Sequence, residues 1–303
     1  MLLSSCVVWR HREWDAFRRE CPGGDGRLQR LVWERLDDAL TWLDALGAPI
    51  VWRDTENPRT TGRRYEPRGL TDVLVRAAGE PRLRTTVRDL ERPLVLATGG
   101  YPVLLARDRG LLVRSNPWSE GDGIELARRH GAALAGDLDE FYGRALPAPP
   151  ARVGEADFVR LAQLYGERAR LVDDAGLPLL DGPPAWHEND VALAIARRPS
   201  RTAWLVVDDP SHPRLAATRE AGGEVVDEDG RVRVRVTVGV THTLGGLRVD
   251  DAARVVDANG SPIDGLYAAG VDVGGIANGG YASGLAQALV LGLVAAESVL
   301  GAL

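Results

Sequence analysis

The sequence predicts an α/β fold with a smaller, irregular α+β unit between its two ends. Three patterns predict it: an amphipathic helix near the start, short apolar runs that stop at glycines, and a closing helix that is apolar on nearly every side. Short apolar runs bounded by turn signals are typical of strands buried in an α/β sheet. The 303 residues are about twice the roughly 150 of an average domain, so one large domain or two modest ones would fit.

The first part of the chain predicts two helices separated by a loop. Leucine and valine recur every three or four residues over about 27–46, which makes one apolar helix face. Gly47 ends this helix, and a proline two residues later prevents its continuation. The polar residues 54–64 predict a loop, and residues 70–78 predict a second helix that Gly79 ends.

The pattern then changes from helical to strand-like. The apolar run 94–97 stops at Thr98-Gly99-Gly100 and predicts a strand buried on both faces. Ser119 and Asp122 have the spacing of residues that satisfy free N–H groups at a helix start, and Gly131 predicts where that helix ends.

The middle of the chain predicts the smaller α+β unit. Residues 141–228 have a mixed composition with two proline clusters. Residues 231–238, RVRVRVTV, alternate strictly, with a valine at every second position. This alternation predicts a strand with its valines buried and its arginines facing water.

The C-terminal part predicts further short strands and a long helix. Residues 245–250 and 253–256 predict two paired strands, and the apolar run 266–269 predicts a strand that stops at Gly270. A helix is predicted from 283 to about 300. Because it is apolar on nearly every side, we expect it to be buried in a large core.

Composition and charge exclude several classes of protein. The net charge of −6 provides no basic field for nucleic acid, and all 37 basic residues are arginine. Cys6 and Cys21 are too few for a disulfide framework, so free thiols in a reducing cytoplasm are expected. The start lacks a secretory signal, and the longest apolar stretch, 285–296, falls short of the roughly 20 residues of a membrane span. We therefore expect a cytoplasmic protein with no nucleic-acid or membrane partner.

Two glycine turns are candidates for chemistry carried by the backbone. A strand, a glycine turn and a helix start bring N–H groups together on an anion or a polarised oxygen. This pattern occurs at 98–100 and at 279–285. One occurrence alone is more often a tight turn, whereas two indicate a large cofactor held by the main chain. The sequence contains no P-loop, metalloprotease or nucleophile-elbow motif.

Four segments resemble one family in composition and order. They are ATGGYP at 97–102, SEGDGIELARRHGAAL at 119–134, THTLGGLRVDDAARVVDANGSPIDGLYAAG at 241–270 and GGYASGLAQALVLGLVAAE at 279–297. Together they resemble the FAD-dependent oxidoreductases (FAD-binding type 2) that include fumarate reductase, succinate dehydrogenase flavoproteins and 3-ketosteroid dehydrogenases. The resemblance implies FAD as the cofactor.

The resemblance implies a Rossmann-like FAD-binding domain with an inserted capping domain. Residues 1–136 and 238–303 would form the FAD-binding domain, and residues 137–237 the cap, which in the family is mobile and closes over the substrate. The sequence contains no G-x-G-x-x-G, the phosphate-binding turn of the family's first βαβ unit. We therefore expect an N-terminally truncated FAD-binding domain whose sheet has exposed strand edges.

The resemblance implies cofactor-binding roles for Thr98, Gly99, Gly100, Asp122, Gly270, Asp272, Ser283, Gly284 and Leu285. The first three would lie against FAD, and Asp122 would help hold that region. Gly270 would end the strand beneath the ribityl chain. Where the family has an acidic residue after Ala-Ala-Gly, this sequence has Val271, and Asp272 is the candidate to replace it. The last three would present amides to the pyrimidine edge, where a helix N-terminus stabilises the negative charge of the reduced flavin.

The resemblance also implies catalytic roles for His242, Tyr281 and Glu188. His242 would face the substrate as a hydrogen-bond donor or proton carrier, and the alternative is a cap of the turn into the next strand. Glu188 would lie on a proton route, and the alternative is a charge at a helix N-terminus. Tyr281, with Asn278, would present polar groups to a carbonyl, and the alternative is a structural role in the loop. The other histidines have no metal-ligand spacing and are expected at the surface.

The expected reaction is hydride transfer between flavin N5 and a carbon next to a carbonyl. Fumarate reductases place a substrate-binding arginine in the loop before the last helix, but this sequence has no arginine after Arg254. The substrate is therefore expected to be less charged than fumarate, such as a ketone or a steroid-like enone. The main alternative is a truncated, flavin-free and non-catalytic remnant of the family. A nicotinamide dehydrogenase lacks its own fingerprint, and the electron partner and reaction direction stay open.

Overall fold

The computed structural model describes residues 6–89, 91–228 and 230–302. They form two compact units. The first unit comprises the described residues up to Tyr101, Ser119–Glu140 and those from Thr243 onward. The second comprises Pro102–Trp118 and Phe141–His242. Pro102–Trp118, which the sequence interpretation placed in the FAD-binding domain, thus belongs to the second unit, and the assignment of 137–237 as a capping domain stays a prediction.

The strands are β1 (Val7–His11), β2 (Ile50–Trp52), β3 (Thr60–Tyr65), β4 (Leu94–Leu96), β5 (Leu112–Val113), β6 (Leu134–Ala135), β7 (Phe141–Pro147), β8 (Ala169–Val172), β9 (Ala203–Val207), β10 (Val225–Glu228), β11 (Arg231–Thr243), β12 (Gly246–Leu247), β13 (Arg254–Val256) and β14 (Pro262–Ala268). The α-helices are α1 (Trp14–Glu20), α2 (Gly26–Ala45), α3 (Pro67–Ala78), α4 (Pro102–Arg109), α5 (Asp122–Arg129), α6 (Asn189–Arg197), α7 (Pro213–Glu220) and α8 (Gly284–Ala302). The fold class is α/β, as the sequence predicts.

The first unit contains two three-stranded sheets. In one of them β3 lies between β1 and β2 and pairs antiparallel with both. In the other β14 lies between β13 and β4, antiparallel to β13 and parallel to β4. The parallel pairing places Leu266 beside Leu94 and Ala268 beside Leu96. Both strands therefore end at the same edge of the sheet, where each runs into a glycine turn.

Helices α2 and α8 supply much of the core of the first unit. The periodic apolar residues of α2, such as Leu36 and Leu40, are buried in one cluster with Val290 and Val294 of α8. The outer side of α8 is partly exposed, and Leu300 is 73% exposed, so the expectation of burial on every side holds for the inner side only. By length and composition alone, Gly284–Gly301 could also cross a membrane, and its inner side packs on α2.

The second unit is organised by one long strand, β11. The sheet has the order β10-β11-β9-β8, and both β5 and β7 also pair with β11. All four valines of residues 231–238 are fully buried, as the alternation predicts. The intervening arginines are only partly in water, because Arg233 and Arg235 lie 4.7 Å and 5.3 Å from the ring centroid of Trp204.

One predicted loop contains a strand. Residues 54–64 include most of β3, which is the central strand of its sheet. The polar composition of β3 does not predict a strand. It forms one by pairing with β1, which lies about fifty residues earlier in the chain. The approach is close at Gly62, where a Cβ atom would lie 2.1 Å from the Val8 carbonyl oxygen. Glycine at this position therefore permits the pairing.

Two further local expectations are wrong, and one is confirmed in part. Gly121, not Ser119, caps α5, and the Ser119 hydroxyl donates to the Thr98 carbonyl oxygen instead. The predicted pairing of 245–250 with 253–256 is confirmed in part: Val249 and Val255 form an antiparallel bridge, while β12 itself pairs with β6 and β13 with β14. Strand β4 is not buried on both faces, since Val95 is 37% exposed. In the described part of the chain β4 lies at the edge of its sheet, which agrees with the expected exposed edge.

Candidate functional site

Two parallel strands of the first unit end side by side in glycine turns. β4 runs into Thr98-Gly99-Gly100, and β14 leads through Ala269 into Gly270. The Ala269 amide continues the pairing by donating to the Leu96 carbonyl oxygen at 2.8 Å. Gly99, Gly100 and Gly270 have φ values of 97°, 69° and 65°, which favour glycine. The turns are far apart in sequence, yet the strand pairing brings them together.

Asp272 locks these two turns to each other. Its carboxylate is fully buried and accepts hydrogen bonds from the Gly100 amide at 2.8 Å and from the Thr98 amide and hydroxyl. Burial raises the pKa of Asp272 above its usual value, against the lowering effect of these donors. The Thr98 and Gly100 amides thus donate to Asp272 and are not available to a ligand. What the first glycine turn offers a ligand is mainly an approach unobstructed by side chains.

Close packing explains why glycines occupy this turn and its neighbour. A Cβ atom on Gly100 would lie 2.8 Å from Thr243 Oγ1 and 2.9 Å from Val271 Cγ1. A Cβ atom on Gly123 would lie 2.6 Å from Thr98 Oγ1. The predicted residue Asp122 is exposed in the first turn of α5. In this region the contact with Thr98 is therefore made by Gly123, the residue after Asp122.

The N-terminal turn of α8 contains Ser283, Gly284 and Leu285. Ser283 is 5% exposed, and its hydroxyl accepts a hydrogen bond from the Ala286 amide at 3.2 Å. From the next turn, the Gln287 side-chain amide donates to the Gly270 carbonyl oxygen at 2.9 Å. This bond ties the start of α8 to the turn after β14. The first amides of α8 belong to a helix end that lacks acceptors within the helix.

The glycine-rich loop before α8 is held by Glu140, a residue that the sequence interpretation missed. One carboxylate oxygen accepts from the Asn278 side-chain amide at 2.8 Å, and the other from the Gly279 amide at 2.8 Å. On its other side the loop contacts the end of α1, where a Cβ atom on Gly280 would collide with the Glu20 carbonyl oxygen. No local pattern marks Glu140, because its partners lie far along the chain.

Several buried polar atoms of the first unit have no hydrogen-bond partner within the described chain, and two of them belong to uncharged side chains. These two are Thr243 Oγ1 and Asn278 Oδ1, on residues that are 2% and 3% exposed. Leaving such a group unsatisfied costs about 1–3 kcal/mol, so a polar ligand that reached them would stabilise the unit. Together with the glycine turns and the start of α8, they fit the flavin end of FAD. The sequence supplies no glycine motif for the pyrophosphate end.

Tyr281 lies in an aromatic cluster of the first unit. Its ring centroid is 5.2 Å from that of Trp9, and Trp9 in turn lies 5.2 Å from His11. His11 is 1% exposed and hydrogen bonded to Glu20 at 2.9 Å, so the expectation of a surface histidine is wrong here. No metal-binding group of histidine, cysteine or acidic residues occurs in the ranges that the structure describes. The role of Tyr281 toward a substrate carbonyl stays a prediction.

His242 lies at the end of β11 in the second unit. Its ring centroid is 5.1 Å from that of Tyr142. Arg114 donates to the hydroxyl of Thr241, the preceding residue, at 2.8 Å. Burial, with a smaller contribution from the Arg114 charge, lowers the pKa of His242 to about 4. The imidazole is therefore neutral at pH 7.

Glu188 is 6% exposed and precedes α6 in a left-handed conformation with a φ of 54°. One carboxylate oxygen accepts from the amides of Tyr165 and Gly166. The other is buried and has no hydrogen-bond partner in the described chain. Burial raises the pKa of Glu188. Glu188 is the N-cap residue of α6, which is the helix-start position of the alternative, although its carboxylate makes no capping hydrogen bond. Its role in a proton route stays a prediction.

Arginines near His242 come from segments that the sequence interpretation did not consider. Arg114 follows β5, which pairs with β11, and Arg144 lies on β7, which also pairs with β11. Arg144 lies 5.1 Å from the ring centroid of Tyr142. The family resemblance places the substrate-binding arginine of fumarate reductases in the loop before the last helix, where this sequence has none. Strand pairing, which the sequence does not reveal locally, places Arg114 close enough for its charge to act on His242 and Arg144 over the ring of Tyr142.

Comparisons with known proteins agree with this geometry. The family model described as "FAD binding domain" matches residues 66–284. The chain is 23% identical over 384 aligned residues to a probable fumarate reductase of Shewanella frigidimarina, covering 94% of this chain and 64% of that protein. It is 40% identical over 243 residues to the fumarate reductase of Schizosaccharomyces pombe, covering 61% of this chain and 47% of that protein. The chain thus spans about half to two thirds of the length of these relatives.

Solved structures share the fold. A 3-ketosteroid-Δ4-(5α)-dehydrogenase from Rhodococcus jostii, in complex with 4-androstene-3,17-dione, has a TM-score of 0.69 at 15% identity and covers 98% of this chain and 88% of that one. An open conformation of a flavocytochrome c3 fumarate reductase has a TM-score of 0.63 at 20% identity. The match covers 95% of this chain and 66% of that one. The family match covers well over half of the chain. The chain therefore belongs to the FAD-binding oxidoreductase family of fumarate reductase and 3-ketosteroid dehydrogenase, whose cofactor is FAD.

Proposed function

We propose that the chain transfers a hydride between flavin N5 and a carbon next to a carbonyl group. One observation carries the proposal: β4 and β14 end together in glycine turns, locked by Asp272, and Gln287 ties the start of α8 to the second turn. FAD, when bound, supplies hydride chemistry at its flavin ring. The chain's own residues then bind the cofactor, orient it and place charges around it.

The start of α8 is proposed to bind the pyrimidine edge of the flavin. The Ser283 hydroxyl is used within the helix, by the Ala286 amide. The amides of Gly284 and Leu285 lie in the first turn, where a helix carries partial positive charge. That charge favours the negative charge near N1 and O2 of a reduced flavin. Stabilisation of the reduced cofactor would then need no charged side chain.

The second unit is proposed to bind the substrate. His242 is neutral at pH 7, so its one N–H can donate a hydrogen bond to a carbonyl oxygen, but it has no second proton to deliver at that pH. Of the two roles that the sequence left open, its pKa favours the hydrogen-bonding one. The complex of the related dehydrogenase with 4-androstene-3,17-dione supports a ketone or steroid-like enone as substrate. Glu188 is the proposed proton carrier because its pKa is raised.

A second candidate is the flavin-free remnant of the family. It is favoured by the absence of a G-x-G-x-x-G turn and by the use of the Thr98 and Gly100 amides within the protein. The two candidates differ in one cheap observation. A flavoprotein binds FAD and absorbs at about 450 nm, a property of the flavin itself. A remnant retains no absorbance at about 450 nm once unbound FAD is removed by gel filtration.

The test is a titration of the purified chain with FAD, read by absorbance and by thermal unfolding. Binding at 100 times the dissociation constant should stabilise the chain by about 2.7 kcal/mol. No bound absorbance and no shift in the unfolding temperature would leave the remnant as the function. Added cyclohex-2-en-1-one or 4-androstene-3,17-dione should then reoxidise the dithionite-reduced, FAD-loaded protein under anaerobic conditions. A coloured protein that neither enone reoxidises would refute the proposed substrate class.

A pair of variants tests the role of α8. Leu285→Pro removes one amide donor, and proline is tolerated in the first turn of a helix. Leu285→Ala removes the same apolar side chain but keeps the amide. We expect the flavin midpoint potential to be lower in the proline variant than in the alanine variant, by about 30 mV for each tenfold loss in preference for the reduced form. Equal potentials would contradict the proposed contact.

A further inference from the structure

Tyr142 and His242 form a close ring pair in the second unit. They lie on β7 and β11, which pair with each other. Their ring centroids are 5.1 Å apart at an interplanar angle of 39°. Tyr142 is 8% exposed. The two side chains therefore present a phenol and an imidazole together, at the residue that the family resemblance assigns to the substrate.

Two fixed guanidinium groups flank this pair. Arg144 lies 5.1 Å from the ring centroid of Tyr142 and donates to the His187 carbonyl oxygen. On the side of His242, Arg114 is 8% exposed and donates to Thr241. A cation over an aromatic face is attracted by the ring, and fixed positive charges favour an oxygen that becomes negative. The surroundings thus suit a developing oxyanion better than a cation.

The geometry points to Tyr142 as a catalytic residue that donates a hydrogen bond to the substrate's carbonyl oxygen beside His242. This assignment rests on the proposed function, and it names the group that the substrate must carry there: a neutral carbonyl conjugated to the reacting carbon. Nothing in the sequence distinguishes Tyr142, since the motif residues near the C-terminus pointed to Tyr281 instead.

The reaction would be the reduction of an enone by a two-electron reduced flavin. The hydride adds to the β-carbon of the double bond and forms a C–H bond. The π electrons move to the carbonyl oxygen, which becomes an enolate held by the Tyr142 hydroxyl. A proton from solvent then reaches the α-carbon and restores the carbonyl. The enone would thus take up two electrons and two hydrogens and become the saturated ketone, and FAD, when bound and reduced, would supply the hydride and be left oxidised.

The protonation states assign different parts to the two side chains. Burial keeps His242 neutral, so it can orient the carbonyl but brings no extra positive charge at pH 7. A phenol is a stronger hydrogen-bond donor than a neutral imidazole, because its usual pKa is about 10. The phenol is therefore the better stabiliser of an enolate oxygen, and Arg144 over its ring reinforces that role.

The first experiment compares Tyr142→Phe with Tyr65→Phe in the FAD-loaded, dithionite-reduced protein. Tyr65 is a fully buried phenol of the first unit, and its hydroxyl donates to the Asp44 carboxylate at 3.0 Å. Reoxidation by cyclohex-2-en-1-one or 4-androstene-3,17-dione is followed at about 450 nm, where oxidised flavin absorbs. Tyr142→Phe should slow the step at saturating enone about 100-fold, as loss of one oxyanion donor does. Tyr65→Phe should not slow it.

The second experiment reads binding without turnover. An enone that accepts a strong hydrogen bond absorbs at longer wavelength, so its ultraviolet band should shift on binding to the oxidised protein. The shift should be lost in Tyr142→Phe and reduced in Arg144→Gln, which removes the cation but keeps the phenol. Urea unfolding of each variant shows whether it folds. If Tyr142→Phe does not fold, the band shift in Arg144→Gln tests the assignment, and an unreduced shift there would contradict it.

The outcomes separate this assignment from the proposed function. An active wild type with an unchanged rate and band shift in Tyr142→Phe would overturn the assignment and leave the function standing. Equal slowing of Tyr65→Phe would also overturn it, because loss of any buried phenol would then have the same effect. A protein that binds FAD but that neither enone reoxidises or binds would overturn the function and the assignment with it.

Discussion

Among single residues, Asp272 does the most to shape the candidate flavin site. The family resemblance assigns an acidic residue to the preceding position and a role at the ribityl hydroxyls. In the structure the carboxylate of Asp272 instead accepts the Thr98 and Gly100 amides. One residue further along the turn after β14, the carboxylate thus holds the two turns together, and its contact with FAD stays a prediction.

Replacing Asp272 by asparagine should destabilise the first unit. Both carboxylate oxygens accept hydrogen bonds, so the asparagine NH2 group would face a donor in either orientation. We expect a loss of about 2 kcal/mol in the free energy of unfolding, measured in urea. Asp257→Asn is the control, because one oxygen of Asp257 accepts both of its amide donors and an amide oxygen can replace it. Equal stability of the two variants would contradict the locking role.

His242 should make stability depend on pH. Its pKa is about 4 in the folded chain and about 6.5 when unfolded, so between these values only the unfolded chain binds the proton. The free energy of unfolding should therefore fall as the pH is lowered from 6.5 to 4. Between pH 7 and pH 5, protonation of His242 in the unfolded chain lowers the free energy of unfolding by at most about 2 kcal/mol. His242→Gln should lose that much less stability between pH 7 and pH 5, and an identical loss would refute the buried neutral state.

Among the elements, the short parallel pair of β4 and β14 decides where the site lies. Each strand has few residues, and the local sequence shows only that each stops at glycine. The pairing sets the two turns beside Thr243 and Val271, at distances that leave no room for a side chain on Gly100. Glycine is needed there for two reasons, its positive φ and the close approach.

Alanine substitutions can separate these two reasons. Gly100 and Gly110 have similar φ values, 69° and 64°, but a Cβ atom on Gly110 meets nothing within 4 Å. Gly110→Ala should therefore report the conformational strain alone, about 1 kcal/mol. Gly100→Ala should cost a further 1–3 kcal/mol, roughly the range for overpacking a tight site. Equal losses in denaturant unfolding would show that the turn can relax away from Thr243.

For the whole molecule, two features stand out: the division into two units and an open sheet edge. Parallel sheets normally have both faces covered and their edges protected. In the described part of the chain β4 lies at the edge of its sheet, and Val95 is 37% exposed. An unpaired apolar edge can accept a strand from another molecule. The edge is therefore a candidate site of self-association.

A charge at this edge should reduce self-association. Val95→Arg places a cation in the middle of β4, a device by which natural edge strands avoid pairing. Val75→Arg is the control, since Val75 is 44% exposed on α3 and not on a strand. Sedimentation at increasing concentration should show less oligomer for Val95→Arg than for Val75→Arg or the wild type. The same distribution in all three would exclude the edge of β4 as the contact.

Local patterns predicted the elements whose stability is local. The three- and four-residue spacing gave α2 to within one residue at each end, and the alternation of 231–238 gave β11 and its buried side. Polar β3 was missed because a strand in the middle of a sheet is stabilised by its two neighbours more than by its own composition. The pairing of β12 with β6 was missed for the same reason.

The sequence by itself determined the family, the cofactor and the glycine turns, because these depend on residue types at short, fixed spacings. Only the tertiary structure decided what Asp272 and Glu140 bind, and that Tyr142 and Arg144 accompany His242. Such contacts join segments more than a hundred residues apart in several cases. They follow from strand pairing and packing, which no local period in the chain specifies.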